Sequence, residues 1–101
     1  MFGLSDADIA IIRDVLANYP QVNEGIIFGS RAKGNYSNGS DVDIALKGDE
    51  VDYNLVLKIS AELNEETVLP YRFDIVDYHS IESVELMNHI DRVGIAFYKS
   101  E

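Results

Sequence analysis

The sequence predicts an α+β fold, an α/β two-layer arrangement in which a mixed β-sheet has helices packed on one face. Short apolar runs, each about five residues long as strands usually are, alternate with segments whose apolar residues recur at helical spacing. The length of 101 residues, with 47% apolar and 26% charged residues, is typical of one globular domain. We therefore expect a single domain over residues 1–101, with the element order α-β-turn-β-α-β-α-β.

The first helix is predicted to follow Ser5, because Ser5 and Asp8 have the spacing of a capping box, with Asp8 as a weaker substitute for glutamate. Pro20 ends this helix, since proline disfavours helical geometry in the residue before it. The run from Gly25 to Gly29 is apolar between two glycines, which indicates a buried strand. The helix would bury an apolar stripe that consists of Ile9, Ile12, Val15 and Leu16.

A polar segment and a second strand follow. Residues 30–40 are small, polar and interrupted by glycines, which predicts a loop with one helical turn near Arg31. Residues 41–47 alternate in polarity, which predicts a strand with two different faces. One face holds Val42, Ile44 and Leu46, and the other holds Asp41, Asp43 and Ala45.

The remaining segments repeat this alternation of helix and strand. Residues 51–64 have apolar positions at helical spacing, and residues 71–78 form another β-type run. Ser80 is the expected cap of the last helix, and residues 95–98 form the final strand after Gly94.

Charge and cysteine content exclude several classes of function. Eighteen acidic residues against eight basic ones give a net charge of −10, whereas proteins that bind duplex nucleic acid or anionic membranes need a basic face. Because there is no cysteine, thiolate metal sites and cysteine nucleophiles are excluded. No apolar run approaches the ~18 residues of a membrane span, so we expect a cytoplasmic protein that binds neither nucleic acid nor membrane directly.

Asp41 and Asp43 are the first candidate catalytic and metal-binding residues. Residues i and i+2 of a strand share a face and lie about 6.5–7 Å apart, so both carboxylates can converge on one cation or a pair of cations. Oxygen ligands of this kind suit Mg²⁺. A two-ion site usually needs a third carboxylate, and Asp74 is the candidate because its neighbours Phe73 and Ile75 look core-directed. On its own, however, an Asp-x-Asp pair on a strand is more often a solvated face.

The glycine-serine turn before this strand changes that balance. Gly29 and Ser30 end an apolar strand and open a helical turn, where unpaired backbone N–H groups and a hydroxyl can bind an anion. A phosphate site next to paired carboxylates indicates a metal–triphosphate complex. The spacing of a P-loop is not completed, since Asn35 follows where lysine is required. The candidate nucleotide-binding residues are Gly29, Ser30, Arg31, Lys33 and Ser40.

At these residues the sequence resembles the nucleotidyltransferases of the DNA polymerase β superfamily. The segment Gly-Ser-Arg-Ala-Lys-Gly followed by Ser-Asp-Val-Asp is similar to the minimal nucleotidyltransferases in particular, the class of the MntA-type antitoxins. The resemblance implies a polymerase-β-like fold in which Gly29 and Ser30 hold the triphosphate of ATP. It also implies that Asp41 and Asp43 bind two Mg²⁺ ions, and that Asp74 completes the site and helps to deprotonate the attacking hydroxyl.

The resemblance also implies an acceptor. Minimal nucleotidyltransferases are typically encoded beside a helical HEPN protein, and many such pairs are a toxin and an antitoxin that adenylylates a tyrosine of the toxin. The leading hypothesis is therefore a Mg²⁺-dependent protein adenylyltransferase that forms a hetero-oligomer with a HEPN partner. Two alternatives remain open: an antitoxin or nucleotide sensor that binds without turnover, and a transferase acting on a small molecule such as an aminoglycoside. His79 and His89 are expected to be structural or solvent-facing.

Overall fold

Four strands form one mixed sheet in a computed structural model of the chain, which describes residues 1–100. The strands in chain order are β1 (Glu24–Phe28), β2 (Val42–Lys47), β3 (Phe73–Asp77) and β4 (Ile95–Lys99). Their spatial order is β3-β2-β1-β4. β1 pairs antiparallel with both β2 and β4, whereas β2 and β3 run parallel. The mixed sheet predicted from the sequence is confirmed.

The described part of the chain has four α-helices, of which the first precedes β1 and the other three lie between successive strands. They are α1 (Asp6–Ala17), α2 (Gly29–Lys33), α3 (Tyr53–Ala61) and α4 (Val84–Val93). α3 continues into a π-helical turn over Glu62–Glu66, and a 3₁₀ turn over Tyr78–Ser80 separates β3 from α4. Within residues 1–100, no helix is long and apolar enough to span a membrane.

Side-chain caps fix the starts of the longer helices. The Ser5 hydroxyl accepts the Asp8 N–H at 3.0 Å while the Asp8 carboxylate accepts the Ser5 N–H at 3.3 Å, so the predicted capping box is confirmed. The prediction for the last helix was wrong by one short turn. Ser83 caps α4 by accepting the Leu86 N–H at 3.2 Å, whereas the Ser80 hydroxyl donates to the Asp77 carboxylate at 2.8 Å inside the 3₁₀ turn.

The two faces of the sheet are covered by different helices. The larger core contains Ile27 and Ile44 together with the apolar sides of α1 and α3. On the opposite face, a smaller cluster joins Ile26 and Phe28 to Ile90 of α4. The expectation of helices on one face therefore holds for α1 and α3 but not for α4. The physical reason is that β1, an interior strand, is apolar on both sides and needs cover on both.

The register of the strands places the acidic residues on the α4 side of the sheet. Asp43 lies opposite Phe28 of β1 and opposite Asp74 of β3. The alternating residues Val42 and Ile44 are fully buried in the larger core. The predicted division of β2 into an apolar and an acidic face is confirmed, and it aligns two carboxylates on adjacent strands.

Candidate active site

Asp43 and Asp74 form the centre of the candidate site. They are register partners on neighbouring parallel strands, so their side chains leave the same face of the sheet. Asp43 is half-buried and Asp74 is exposed. Asp41 lies just before β2 and is also exposed. Val42 and Ile44, the residues on either side of Asp43, are fully buried, so the strand that carries Asp43 is fixed by core packing.

The carboxylates repel one another. Burial, followed by the negative charges of Asp74 and Asp41, raises the pKa of Asp43 to about 6 from an ordinary value of 3.8. Within residues 1–100, none of these three carboxylates accepts a hydrogen bond from the protein. Carboxylate oxygens that repel one another and accept no hydrogen bond are a donor set that suits a hard divalent cation.

The three acids do not form a tightly preassembled metal centre. In the described part of the chain, no three acidic or histidine side chains are grouped closely enough to hold an ion as they stand. Asp43 and Asp74 are brought together by strand register, while Asp41 lies at the rim of the same site. The roles predicted for these residues as metal ligands therefore stay predictions.

The glycine-serine turn packs directly against this acidic group. Gly29 has a φ of +73°, in the left-handed region that favours glycine. A Cβ atom added at this position would collide with the carboxylate of Asp43. The turn predicted to bind phosphate and the strand predicted to bind metal are therefore in contact, and this contact requires the absence of a side chain at Gly29.

His89 was not among the predicted site residues, but it reaches this turn. The Gly29 N–H donates to Nε2 of His89 at 3.2 Å, and the imidazole lies edge-on to Phe28 with a centroid distance of 6.2 Å. The two partners are 60 residues apart in the sequence. No local pattern could have indicated this contact, because it depends on α4 packing against the face of the sheet that was expected to be free.

Arg31 requires a correction. Its side chain is 2% exposed, and its guanidinium donates to the Phe2 carbonyl at 2.9 Å, to the Ser40 carbonyl at 3.2 and 2.9 Å, and to the Asn38 carbonyl at 3.4 Å. The rings of Tyr36 and Tyr71 lie 5.3 and 5.0 Å from it. Arg31 therefore joins the loop to the N-terminal segment, and all three of its side-chain nitrogens already donate to backbone carbonyls.

Two further predicted nucleotide-binding residues, Ser40 and Lys33, lie in the loop and at the end of α2. The Ser40 hydroxyl accepts the Ser37 N–H at 2.9 Å, and its carbonyl accepts from Arg31, so this residue shapes the loop. Lys33 is exposed at the end of α2. Their contacts with a nucleotide stay predictions.

An open cleft runs from the acidic group towards the edge of the sheet. Its volume is about 550 Å³. The cleft is lined by Asp41, Ser60, Asn64, Arg72, Phe73 and Asp74. Asp41 and Asp74 therefore border a space that is large enough for a substrate group.

Comparison with known proteins identifies the family to which this arrangement belongs. Residues 10–101 match the family described as Polymerase beta, Nucleotidyltransferase. The chain belongs to this family. A relative from Methanocaldococcus jannaschii, which carries the name "Putative protein adenylyltransferase", is 35% identical over 80 residues, or 79% of this chain and 71% of the relative. The resemblance noted in the sequence is thus confirmed, and the chain is a nucleotidyltransferase.

Solved structures confirm the nucleotidyltransferase fold. A toxin–antitoxin crystal structure with AMP-PNP matches 96% of this chain and 76% of its own, with a TM-score of 0.74 and 22% identity. A mutant of the toxin–antitoxin MntA-HpeT matches 97% of this chain and 76% of its own, with a TM-score of 0.73 and 21% identity. A crystal structure named as that of a "putative nucleotidyltransferase" from Sulfolobus solfataricus matches 90% of this chain and 76% of its own, with a TM-score of 0.56 and 22% identity.

Proposed function

We propose that this nucleotidyltransferase is a Mg²⁺-dependent protein adenylyltransferase, which moves AMP from ATP to a tyrosine hydroxyl of a partner toxin of the HEPN class. One observation carries the proposal: the glycine of the Gly-Ser turn packs directly on Asp43, beside Asp74. This contact brings the candidate phosphate site and the candidate metal ligands into one place. The cleft next to Asp74 would then receive the acceptor.

The reaction assigns a task to each of these residues. The acceptor oxygen forms a bond to the α-phosphorus of ATP while the bond to the pyrophosphate oxygen breaks. Gly29 and Ser30 would hold the triphosphate through the Ser30 hydroxyl and the backbone N–H groups that follow Gly29 in the turn, because the Gly29 N–H already donates to His89. Asp74 would accept the proton of the attacking hydroxyl, since it is the exposed carboxylate that borders the cleft.

Asp41, Asp43 and Asp74 would hold the metal ions. Their mutual repulsion and their lack of protein donors fit a divalent cation. When bound, Mg²⁺ neutralises charge on the phosphates and on the leaving pyrophosphate. The protein supplies position and electrostatics, which explains why no cysteine or histidine nucleophile is needed.

A protein acceptor is supported by the relatives and by charge. The similar crystal structures contain a toxin–antitoxin pair, one with AMP-PNP and one with two aspartates two positions apart changed to glutamate. Asp41 and Asp43 have that same spacing. The net charge of −10 favours a partner with a basic face, as an RNA-cleaving toxin would have.

The test is transfer of label from α-³²P-ATP with Mg²⁺ to the protein encoded beside this chain. We expect labelling of a tyrosine by the wild type, and none by a variant with Asp41→Asn and Asp43→Asn. Asp14→Asn is the matched control, because it removes one exposed carboxylate on α1 outside the site. Lack of transfer by the wild type, or equal transfer by the double variant, would contradict the proposal.

A further inference from the structure

β3 is an edge strand whose outer side is only partly covered. On its inner side, the Arg72 carbonyl accepts the Val42 N–H at 2.8 Å. Because backbone groups point alternately to the two sides of a strand, residues 72, 74 and 76 pair towards β2. The N–H and carbonyl groups of Phe73, Ile75 and Asp77 therefore point away from the sheet.

At Phe73 a side chain takes the place of a missing strand. The Asn64 side-chain oxygen accepts the Phe73 N–H at 2.8 Å, and the Asn64 side-chain nitrogen donates to the Phe73 carbonyl at 3.1 Å. These are the two hydrogen bonds that the backbone of a neighbouring strand would make. The same nitrogen also donates to the Ser60 carbonyl at 2.9 Å, which anchors the amide to α3. The edge is therefore closed at Phe73 by a group that imitates a strand.

Two residues further on, the backbone of the edge has no hydrogen-bond partner within residues 1–100, although the Ile75 residue as a whole is only 7% exposed. In the described chain, neither the N–H nor the carbonyl of Ile75 has a hydrogen-bond partner on this side. Next to it lies a mainly apolar cavity of about 310 Å³, with walls formed by Tyr53, Val56, Ile75 and Ile81. Tyr53 is 73% exposed at the mouth of this cavity. Unpaired backbone groups beside an apolar cavity are the two features used when a sheet edge binds an extended peptide.

We propose that the outer edge of β3 from Ile75 to Asp77 docks an extended segment of the acceptor protein as an additional strand. Its backbone pairs with Ile75, and one of its apolar side chains enters the 310 Å³ cavity. This inference rests on the proposed function, because it assigns the acceptor of that same reaction to a defined surface.

The position of the edge supports this occupant. Asp74 lies between Phe73 and Ile75 on the same strand, and neighbouring strands are about 4.8 Å apart. A hydroxyl side chain of the added segment, on the face that Asp74 occupies, therefore comes within reach of the carboxylates. Asp74 and Asp77 on either side of Ile75 make the edge acidic, which favours a segment that carries basic residues. Pairing through the backbone would fix the depth at which the hydroxyl enters the site.

The decisive measurement is amide hydrogen exchange of the ¹⁵N-labelled full chain, alone and with saturating amounts of the neighbour-encoded protein. In the free chain we expect fast exchange at Ile75 and slow exchange at Asp74 and Val76, whose N–H groups face β2. Adding the partner should protect the Ile75 amide. If the Ile75 amide is not protected, docking at this edge is overturned, whether or not AMP is transferred.

A matched pair of variants tests the cavity. Ser80→Trp places a large ring on the cavity wall, whereas Ser80→Ala removes the same hydroxyl and fills nothing. We expect Ser80→Trp to weaken binding of the partner by about tenfold or more in calorimetry and Ser80→Ala to leave it unchanged, with ATP binding equal in both. Equal partner binding by the two variants would contradict the docking. By contrast, partner binding and Ile75 protection without AMP transfer would contradict the proposed function alone.

Discussion

The candidate site has two kinds of charged group, the guanidinium of Arg31 and the carboxylates of Asp43 and Asp74, and their surroundings are opposite. The guanidinium of Arg31 is buried, with three backbone carbonyls and two aromatic rings around it. Asp43 and Asp74 face each other with no donor from the described chain. A charge that holds the fold is satisfied internally, whereas charges that await a ligand are left unpaired. The unpaired carboxylates, Asp43 and Asp74, are distinguished by their contact with solvent and by their mutual repulsion.

The largest expected effect is the loss of AMP transfer when the unpaired carboxylate of Asp43 is neutralised. Asp43→Asn should lower AMP transfer by about 10²–10³-fold, because it removes a candidate metal ligand and leaves the strand in place. The free energy of unfolding should be unchanged or higher, since a repelled carboxylate is removed. Labelled transfer and urea denaturation measure the two quantities. A variant that keeps full activity would remove Asp43 from the site.

Neutralising the buried, hydrogen-bonded Arg31 should instead lower the stability of the fold. Arg31→Met should lower the free energy of unfolding by about 3 kcal/mol, because it leaves buried carbonyls without a donor. Arg31→Lys is the matched control: it keeps the charge but cannot reach all three carbonyls, and we expect it to recover only part of the loss. Urea denaturation checks both. If Arg31→Met unfolds like the wild type, Arg31 does not hold the loop.

Two glycines allow strain to be separated from contact. Gly29 and Gly34 both have positive φ values, +73° and +87°. A Cβ at Gly34 meets nothing within 4 Å, whereas one at Gly29 collides with Asp43. Alanine at either position should therefore cost about 1 kcal/mol of stability from backbone strain, but only Gly29→Ala should also reduce transfer. Equal activity in the two variants would show that the contact with Asp43 is unimportant.

The smallest expected effect is a pH dependence of stability. Folded Asp43 keeps its proton to a pH of about 6, compared with 3.8 in the unfolded chain, so protonation favours the folded state. Its contribution is full below pH 3.8 and is lost as the pH rises to about 6. After solvent screening is allowed for, we expect about 1 kcal/mol. Comparing unfolding of the wild type and Asp43→Asn at pH 4 and pH 7 measures it: the free energy of unfolding of Asp43→Asn should exceed that of the wild type by more at pH 7 than at pH 4. An excess that stays constant or shrinks as the pH rises would contradict it.

The parts that were predictable from the sequence depend on short-range periodicity. The alternation in β2 placed Asp43 opposite the apolar face, and the neighbours of Asp74 placed it likewise. The Ser5 cap followed from spacing alone. Each of these features is decided within a few residues, where backbone geometry leaves little choice.

The parts that could not be predicted depend on long-range packing. Arg31 next to a Gly-Ser turn has the chemistry of a phosphate ligand, and only the folded chain shows that Phe2 and Ser40 surround it. The second apolar side of β1 was visible in Ile26 and Phe28, but nothing local indicated that α4 would cover it. The contact between His89 and Gly29 follows from that same packing.

The hydrogen bond from Gly29 to His89 has a consequence for the order of events during synthesis. Gly29 leaves the ribosome 60 residues before His89, and α4 is synthesised after β3, the strand that carries Asp74. A nascent chain that ends before α4 already contains all three aspartates, but its Gly29 amide has no imidazole partner. The Gly-Ser turn is thus completed by α4, after the strands that carry the carboxylates have been made.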